Sequence, residues 1–369
     1  MNFNLKGILI IIGFIFTFFL PESTSDKKNS FEVEGDLFNN SIVTKVNHKL
    51  AKLMLTDSSH AEVRKLHHAF GNKKLNTQTL VEITNEYSVD VATLYFFQKL
   101  YQEEKNKTAQ NLYQNYLSKS EKLFSEKELS NLREFIIVFV PGLGYKEDTT
   151  TGADFSRQRK LLNLYGIRNE LIQTNEWGLS EENAVMIASR LRELSVSNNK
   201  IIVVSASKGG LETAIALGQI MSKEEVMKIA AWVSVGGVLR GSPIADNYLI
   251  APSCWFAEFM LWTKGEKINI VQDLSYKKRT KTFDELTFPK ELKIIHFIGA
   301  PLFSQVSKEI KGRYSSLLDF GPNDGLTPLA DEIIEGGIVV SELGLDHYFR
   351  DTDIDKKTLA LALVAVNQN

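Results

Sequence analysis

Lys200-Ile201-Ile202-Val203-Val204-Ser205-Ala206-Ser207-Lys208-Gly209-Gly210 is the stretch that decides the fold of this 369-residue chain. Ile201 to Val204 is apolar and β-branched without interruption, the pattern of a strand buried on both faces. It runs straight into a turn with a small residue two positions before Ser207 and a glycine two after it. Such spacing lets a strand reverse sharply into a helix and holds the serine exposed and strained. The first N–H groups of the helix then face a reacting carbonyl. A bulky side chain at 205 or 209 would collide across the turn. Leu211, Ala214, Ile215 and Gly218 continue with helical spacing. A small-x-Ser-x-Gly pattern alone is weak; its place between a buried strand and a helix gives it meaning. A phosphate-binding loop would need more glycines and a Lys-Ser/Thr pair, which this turn lacks.

Outward from this turn, the same alternation repeats. Phe135 to Val140 is a second buried strand, ended by Pro141-Gly142. A helix is expected around Asp154 to Leu164, a strand near Glu170 to Gln173, and a helix capped by Ser180 with Glu181 and Glu182 in its first turn,. Further strands are expected at Ile229 to Val235, Leu292 to Ile298 and Gly337 to Val340. Strand and helix alternation of this kind predicts a mostly parallel, doubly wound α/β sheet with right-handed crossovers. In such sheets chemistry sits at the carboxyl ends of the strands.

A serine nucleophile needs a base and a carboxylate that orients it. Only His296 and His347 lie beyond Ser207. His296 falls inside the strand Ile294 to Ile298, where a core or edge role is expected. His347, in Gly344-Leu345-Asp346-His347-Tyr348-Phe349, lies in a loop after the last strand and is the expected base,. For the acid, Gly321-Pro322-Asn323-Asp324-Gly325-Leu326-Thr327-Pro328 is a tight turn that presents Asp324. Asn-Asp-Gly is also simply good turn chemistry. Asp319, Asp331 and Asp346 compete with Asp324, but Asp346 adjoins the histidine too closely to reach its ring correctly. Two backbone N–H groups are needed for a developing oxyanion. The expected donors are Lys208, directly after the nucleophile, and Leu143 in Pro141-Gly142-Leu143-Gly144-Tyr145,.

The region before residue 133 reads differently. From Ser41 to about Leu132 the pattern predicts four to six amphipathic helices and no strand, an all-helical N-terminal region. Val63, Leu66, His67 and Phe70 share one helical face, with Gly71 at a C-cap position,. Val91, Leu94, Tyr95 and Phe97 mark another helix, and Leu112, Tyr113, Tyr116, Leu117, Ser120 and Phe124 a later one. His60, His67 and His68 cluster there, but no carboxylate completes a ligand set, so packed or exposed helix residues are expected rather than a metal site. Lys6 followed by the apolar run Gly7 to Leu20 predicts an export signal or an N-terminal anchor over residues 1–25,. The expected organisation is therefore residues 1–25, a helical region over 26–132, and a catalytic domain over 133–369.

Composition limits the partners. The formal net charge of −2 offers no basic footprint for nucleic acid,. The single cysteine, Cys254, excludes an intramolecular disulfide and a cysteine-rich zinc cluster, and its apolar surroundings predict a small buried hydrophobe,.

The Ser-Ala-Ser-Lys-Gly turn at 205–209, the Pro-Gly-Leu-Gly loop at 141–144, Asn-Asp-Gly-Leu-Thr-Pro at 323–328 and Asp-His-Tyr at 346–348 together resemble the α/β-hydrolase superfamily, in its lipase-like branch. Gly241-Ser242-Pro243-Ile244-Ala245-Asp246 is similar to the segment after the sixth strand in many lipases. The resemblance covers about residues 133 to 369. It implies hydrolysis of a small-molecule or lipid ester through an acyl-enzyme, with no cofactor. Ser207 would be the nucleophile, His347 general base and then acid, and Asp324 the orienting carboxylate. The chain departs from the pattern at Pro141, where many relatives have histidine, at Ser205-Ala206, and at Lys208, a position often apolar or Gln. The Lys208 ammonium is expected to meet an acidic substrate group or solvent. Residues 244–290 would form a cap, and Cys254, Trp255, Phe256, Phe259, Met260 and Trp262 make it apolar. That suits a lid opening onto lipid as well as a cap buried on the core. A membrane contact through the N-terminus or the cap follows from the first. The same triad also serves thioesterases, amidases and peptidases, and a non-catalytic binding protein can keep the fold.

Overall fold

The protein is described here as a computed structural model covering residues 30–120, 124–146, 152–196, 200–263 and 265–367. The expected export segment, residues 1–25, lies outside the described residues, as does the Trp262 side chain. The described residues divide into two compact units. One comprises residues 30–99, 299–330 and 343–347; the other comprises 100–298, 331–342 and 348–367.

The second unit carries the sheet. Its strands are β3 (Phe135–Val140), β4 (Arg168–Leu171), β5 (Lys200–Ala206), β6 (Ile229–Val235), β7 (Lys293–Ala300) and β8 (Ile338–Leu343), with the antiparallel pair β1 (Phe31–Leu37) and β2 (Asn40–Val46) in the first unit. The sheet order is β4-β3-β5-β6-β7-β8. β3 pairs in parallel with β4 and β5, and β5-β6 and β6-β7 are also parallel. Every residue of β3 is buried, as its unbroken apolar run demands,. Alternate residues serve opposite faces. Ile136, Val138 and Val140 join Ala184, Ile187, Leu191 and Leu211 in one apolar cluster with the helices after β4 and β5. On the other face Phe139 packs on Phe155, and Phe297 on Tyr113 and Phe349.

From β3 the chain crosses to β4 on one side, whereas from β5 it goes to β6 on the other. The strand order therefore reverses between β3 and β5, and the carboxyl ends at such a switch point are where sheets of this type bind ligands,.

Two features differ from expectation. The N-terminal region is not all-helical, because it begins with the hairpin β1-β2. Val33, Leu37 and Val46 are buried while Glu32 and Glu34 stand outside, a clear period of two,. Gly35 and the turn obscure that period in the sequence. The turn residues Phe38 and Asn39 both have positive φ, 56° and 64°, and phenylalanine is an unusual occupant of such a position,. Second, the units divide at residue 99 rather than near 132. Helices Glu104–Ser120 and Glu126–Leu132 go with the sheet unit. Asn106 Oδ1 accepts from Val339 N–H at 2.8 Å, and the Gln110 amide clamps Ser341 N–H and C=O at 2.9 and 3.0 Å. These bonds take up backbone groups of β8 as an additional strand would.

In the first unit, Val63, Leu66 and Phe70 are buried, as are Val91, Leu94, Tyr95 and Phe97. Gly71 does not take the left-handed cap conformation; its φ is −59°. Glycine is required instead by space, since a Cβ there would lie 2.4 Å from His67 O. His60 caps its helix by accepting from Glu62 N–H, and His67 bonds to Gln98.

Candidate active site

β5 ends at Ala206, and Ser207 has φ 52° and ψ −124°, a region that residues with a Cβ rarely adopt,. Helix Lys208–Ile215 begins immediately after it. The surrounding backbone over-determines this strain. Ser207 N–H donates to Val235 O at 3.1 Å, and Ser207 O accepts from Gly210 and Val238 N–H at 2.9 and 3.1 Å. The small residues are needed where the sequence has them. A Cβ on Gly209 would lie 2.4 Å from Pro141 O and 2.8 Å from Val140 O, and one on Gly210 would lie 2.9 Å from Gly237 Cα. Ser205 is buried and accepts from Trp232 Nε1 at 2.8 Å. The helix then widens into a single π-helical turn, Ala216–Ile220, of the kind that recurs near functional sites,.

The loop after β3 runs beside this turn. A Cβ on Gly142 would lie 3.2 Å from Ser207 Cβ, so a larger residue would have to displace the loop or the turn by a few tenths of an ångström,. Leu143 follows with a partly exposed side chain. Lys208 opens the helix, where N–H groups have no intrahelical acceptor. The Lys208 side chain is a correction to expectation. It meets neither solvent nor an open cleft; it is buried and paired with Glu212 one turn on. Glu212 Oε1 also accepts from Asn183 Nδ2 at 2.7 Å. Burial pushes the Glu212 carboxyl up to about 7, against the opposing pull of the Lys208 ammonium and the Asn183 amide,.

Asp324 and His347 form a pair within the first unit. His347 Nδ1 lies 2.5 Å from Asp324 Oδ2, and His347 N–H donates to Asp324 O at 2.9 Å. Asp324 Oδ1 accepts from the N–H groups of Leu326 and Thr327, both at 2.8 Å. The carboxylate is thus fully buried yet satisfied on both oxygens,. Gly325 has φ 94° and a Cβ there would strike Ile310 at 2.5 Å, so the Asn-Asp-Gly turn is required by conformation and by space. The carboxylate thus fixes the His347 ring through Nδ1,.

His296 is a different kind of histidine. It is completely buried, and Nε2 accepts from Ile334 N–H at 3.1 Å. Burial, with Arg240 and Lys105 nearby, pushes its ring down to about 3. It is a neutral core residue.

The insertion between β6 and β7 has two characters. Its second half is anchored: Asp273 accepts from Ser180 N–H and Oγ–H at 2.9 and 2.6 Å, and buried Arg279 bridges Asp273 and Glu181. Its first half presents Ile250, Trp255 and Phe259 to solvent, at 59%, 68% and 57% exposure. Cys254, on the same helix as Trp255 and Phe259, is half-buried rather than buried. Among the described residues no helix is long and apolar enough to cross a membrane.

The parallel sheet, its strand order and the serine turn have the architecture of an α/β-hydrolase,. No family model matches the chain, and no curated protein matches it. Among solved structures it is similar to the metagenomic carboxyl esterase MGS0156, with 24% identity and a TM-score of 0.48. That match covers 58% of this chain and 65% of the esterase. The mature lipase BlEst2 from Bacillus licheniformis is 22% identical over 62% of this chain and 89% of its own, with a TM-score of 0.49. Phospholipase PlaB from Legionella pneumophila is 11% identical over 54% and 45% of the two chains, with a TM-score of 0.38.

Proposed function

We propose that the protein is a serine hydrolase that cleaves a carboxylic ester, with Ser207, His347 and Asp324 as its triad. The observation that carries this reading is the strained backbone of Ser207 at the end of β5, a conformation of the kind that clusters at active sites,. The preformed Asp324–His347 pair supplies what a serine needs to become a nucleophile,. In this mechanism Ser207 Oγ forms a bond to the ester carbonyl carbon as its proton passes to His347 Nε2. The tetrahedral oxyanion is held by the N–H groups of Leu143 and Lys208. Collapse breaks the bond to the alcohol oxygen, which leaves with the proton from His347. Water repeats the cycle and releases the acid. Asp324 holds the ring tautomer and stabilises its charged form.

A lipid ester is favoured by the exposed apolar side chains of the insertion's first half, Ile250, Trp255 and Phe259, which suit contact with a lipid,. The expected setting is outside the cytoplasm, by export or by anchoring through the apolar run at Gly7 to Leu20,. A panel of p-nitrophenyl esters tests the substrate reading. Rates are expected to rise from acetate towards longer chains; cleavage of acetate alone removes the lipid reading, and cleavage of none removes the ester reading.

A further inference from the structure

Residues 174–176, in the loop after β4, receive bonds from both segments that would supply the oxyanion donors. From the Leu143 loop, Tyr145 Oη–H donates to Thr174 O at 3.0 Å, and Lys146 N–H donates to Glu176 Oε2 at 2.9 Å. From the Lys208 side, the ammonium pairs with Glu212, and Glu212 accepts from Asn183. Asn183 then clamps residue 175 twice: its Oδ1 accepts from Asn175 N–H at 3.0 Å and its Nδ2 donates to Asn175 O at 2.7 Å. Tyr145, Thr174, Asn183, Lys208 and Glu212 are all at most 4% exposed.

We propose that Tyr145, Asn183 and Glu212 are positioning residues, which brace the Leu143 and Lys208 backbones against residues 174–176 and so set the spacing of the two oxyanion donors. This rests on Ser207 being the nucleophile. The alternative, a bridge that merely stabilises the fold, has no need to join these two segments to consecutive residues. A buried ion pair is also poor evidence of stabilisation by itself, because apolar replacements of similar volume often do as well or better. What the pair offers instead is directional hold on Lys208, whose peptide N–H follows the nucleophile. Its dependence on the pair is sharpened by burial, which favours the uncharged Glu212 carboxyl once the ammonium is removed,.

The experiment uses the full chain and four variants: Tyr145→Phe, Asn183→Leu, Glu212→Gln and the double Lys208→Met/Glu212→Leu. Active sites are first titrated with a fluorophosphonate; kcat per labelled site, KM and inhibition by a trifluoromethyl ketone, which forms a tetrahedral adduct, are then measured. Loosening the donors is expected to lower kcat per site by about tenfold to 10²-fold for Asn183→Leu and Glu212→Gln. A smaller loss is expected for Tyr145→Phe. KM should stay within about twofold, and trifluoromethyl ketone affinity should fall in step with kcat/KM. The double variant is expected to regain thermal stability without regaining kcat. Variants that melt earlier yet keep wild-type kcat per labelled site would overturn the proposal, as would a double variant that recovers both. Failure of the wild type to be labelled, or labelling that survives Ser207→Ala, would instead refute Ser207 as nucleophile.

Discussion

Two buried carboxylates, Asp324 in the first unit and Glu212 in the second, are held in opposite ways. Asp324 is satisfied on one oxygen by backbone N–H groups of its own turn, set by local conformation, and on the other by the ring nitrogen of His347. Glu212 is satisfied by side chains, an ammonium and an amide, brought from two helices. A carboxylate held by peptide groups is pinned by the turn and changes little when distant side chains change. One held by side chains transmits whatever happens to its partners. The first suits a residue that must orient a base, and the second suits a brace between segments.

The largest effect that separates them is expected at Asp324. Asp324→Asn keeps the turn and most of its hydrogen bonds but offers His347 an amide in place of a carboxylate. Activity on an ester should fall by about 10⁴-fold with little change in thermal stability. A loss below tenfold would show that another carboxylate orients the ring. Gly209→Ala should come next. Its Cβ would meet Pro141 O at 2.4 Å, so the turn must move or the loop after β3 must give way. A destabilisation of about 1–3 kcal/mol is expected, with loss of fluorophosphonate labelling. A stable, fully labelled Gly209→Ala protein would contradict the close approach described for the turn.

The smallest expected effect concerns pH and separates His296 from His347. The folded protein refuses a proton at His296 until about pH 3, whereas the unfolded chain accepts one near 6.5,. The unfolded state therefore binds more protons below 6.5, and His296 lowers stability as pH falls through that window. Glu212, raised to about 7, acts in the opposite sense, because the folded state keeps a proton that the unfolded chain releases from 4.5 upward,. The wild-type curve mixes both, so the comparison must be with His296→Gln. Between pH 7 and pH 5 the wild type should lose about 2 kcal/mol relative to that variant in urea unfolding. Parallel curves would mean that the ring is not neutral and buried.

How legible these features are in the sequence depends on how local their causes are. The serine turn is readable because strand, turn and helix are contiguous and each has a short-range signature. The same holds for Asp324, where Asn-Asp-Gly encodes its own conformation. The hairpin β1-β2 is obscured because Gly35 interrupts the alternation and Phe38 occupies a position where glycine or asparagine is usual. Gly35 is there for a distant reason: a Cβ would lie 2.5 Å from Leu55 O. The destination of the Lys208 ammonium was readable in part, since Glu212 stands four residues on, the spacing at which helix side chains meet. Its link to Asn183 and residues 174–176 joins segments far apart in the chain and carries no local signal. The division of the units at residue 99 is hidden for the same reason, as Asn106 and Gln110 find their partners more than 230 positions away.

The central claim is that the hydroxyl at 207 is a nucleophile activated by a histidine. Mass spectrometry of the protein after treatment with a fluorophosphonate tests it most directly, on the wild type, Ser207→Ala and His347→Ala. One adduct on the peptide containing Ser207 is predicted for the wild type, none for Ser207→Ala, and adduct formation slowed by orders of magnitude for His347→Ala. Modification at another residue, or equal labelling of all three proteins, would contradict it.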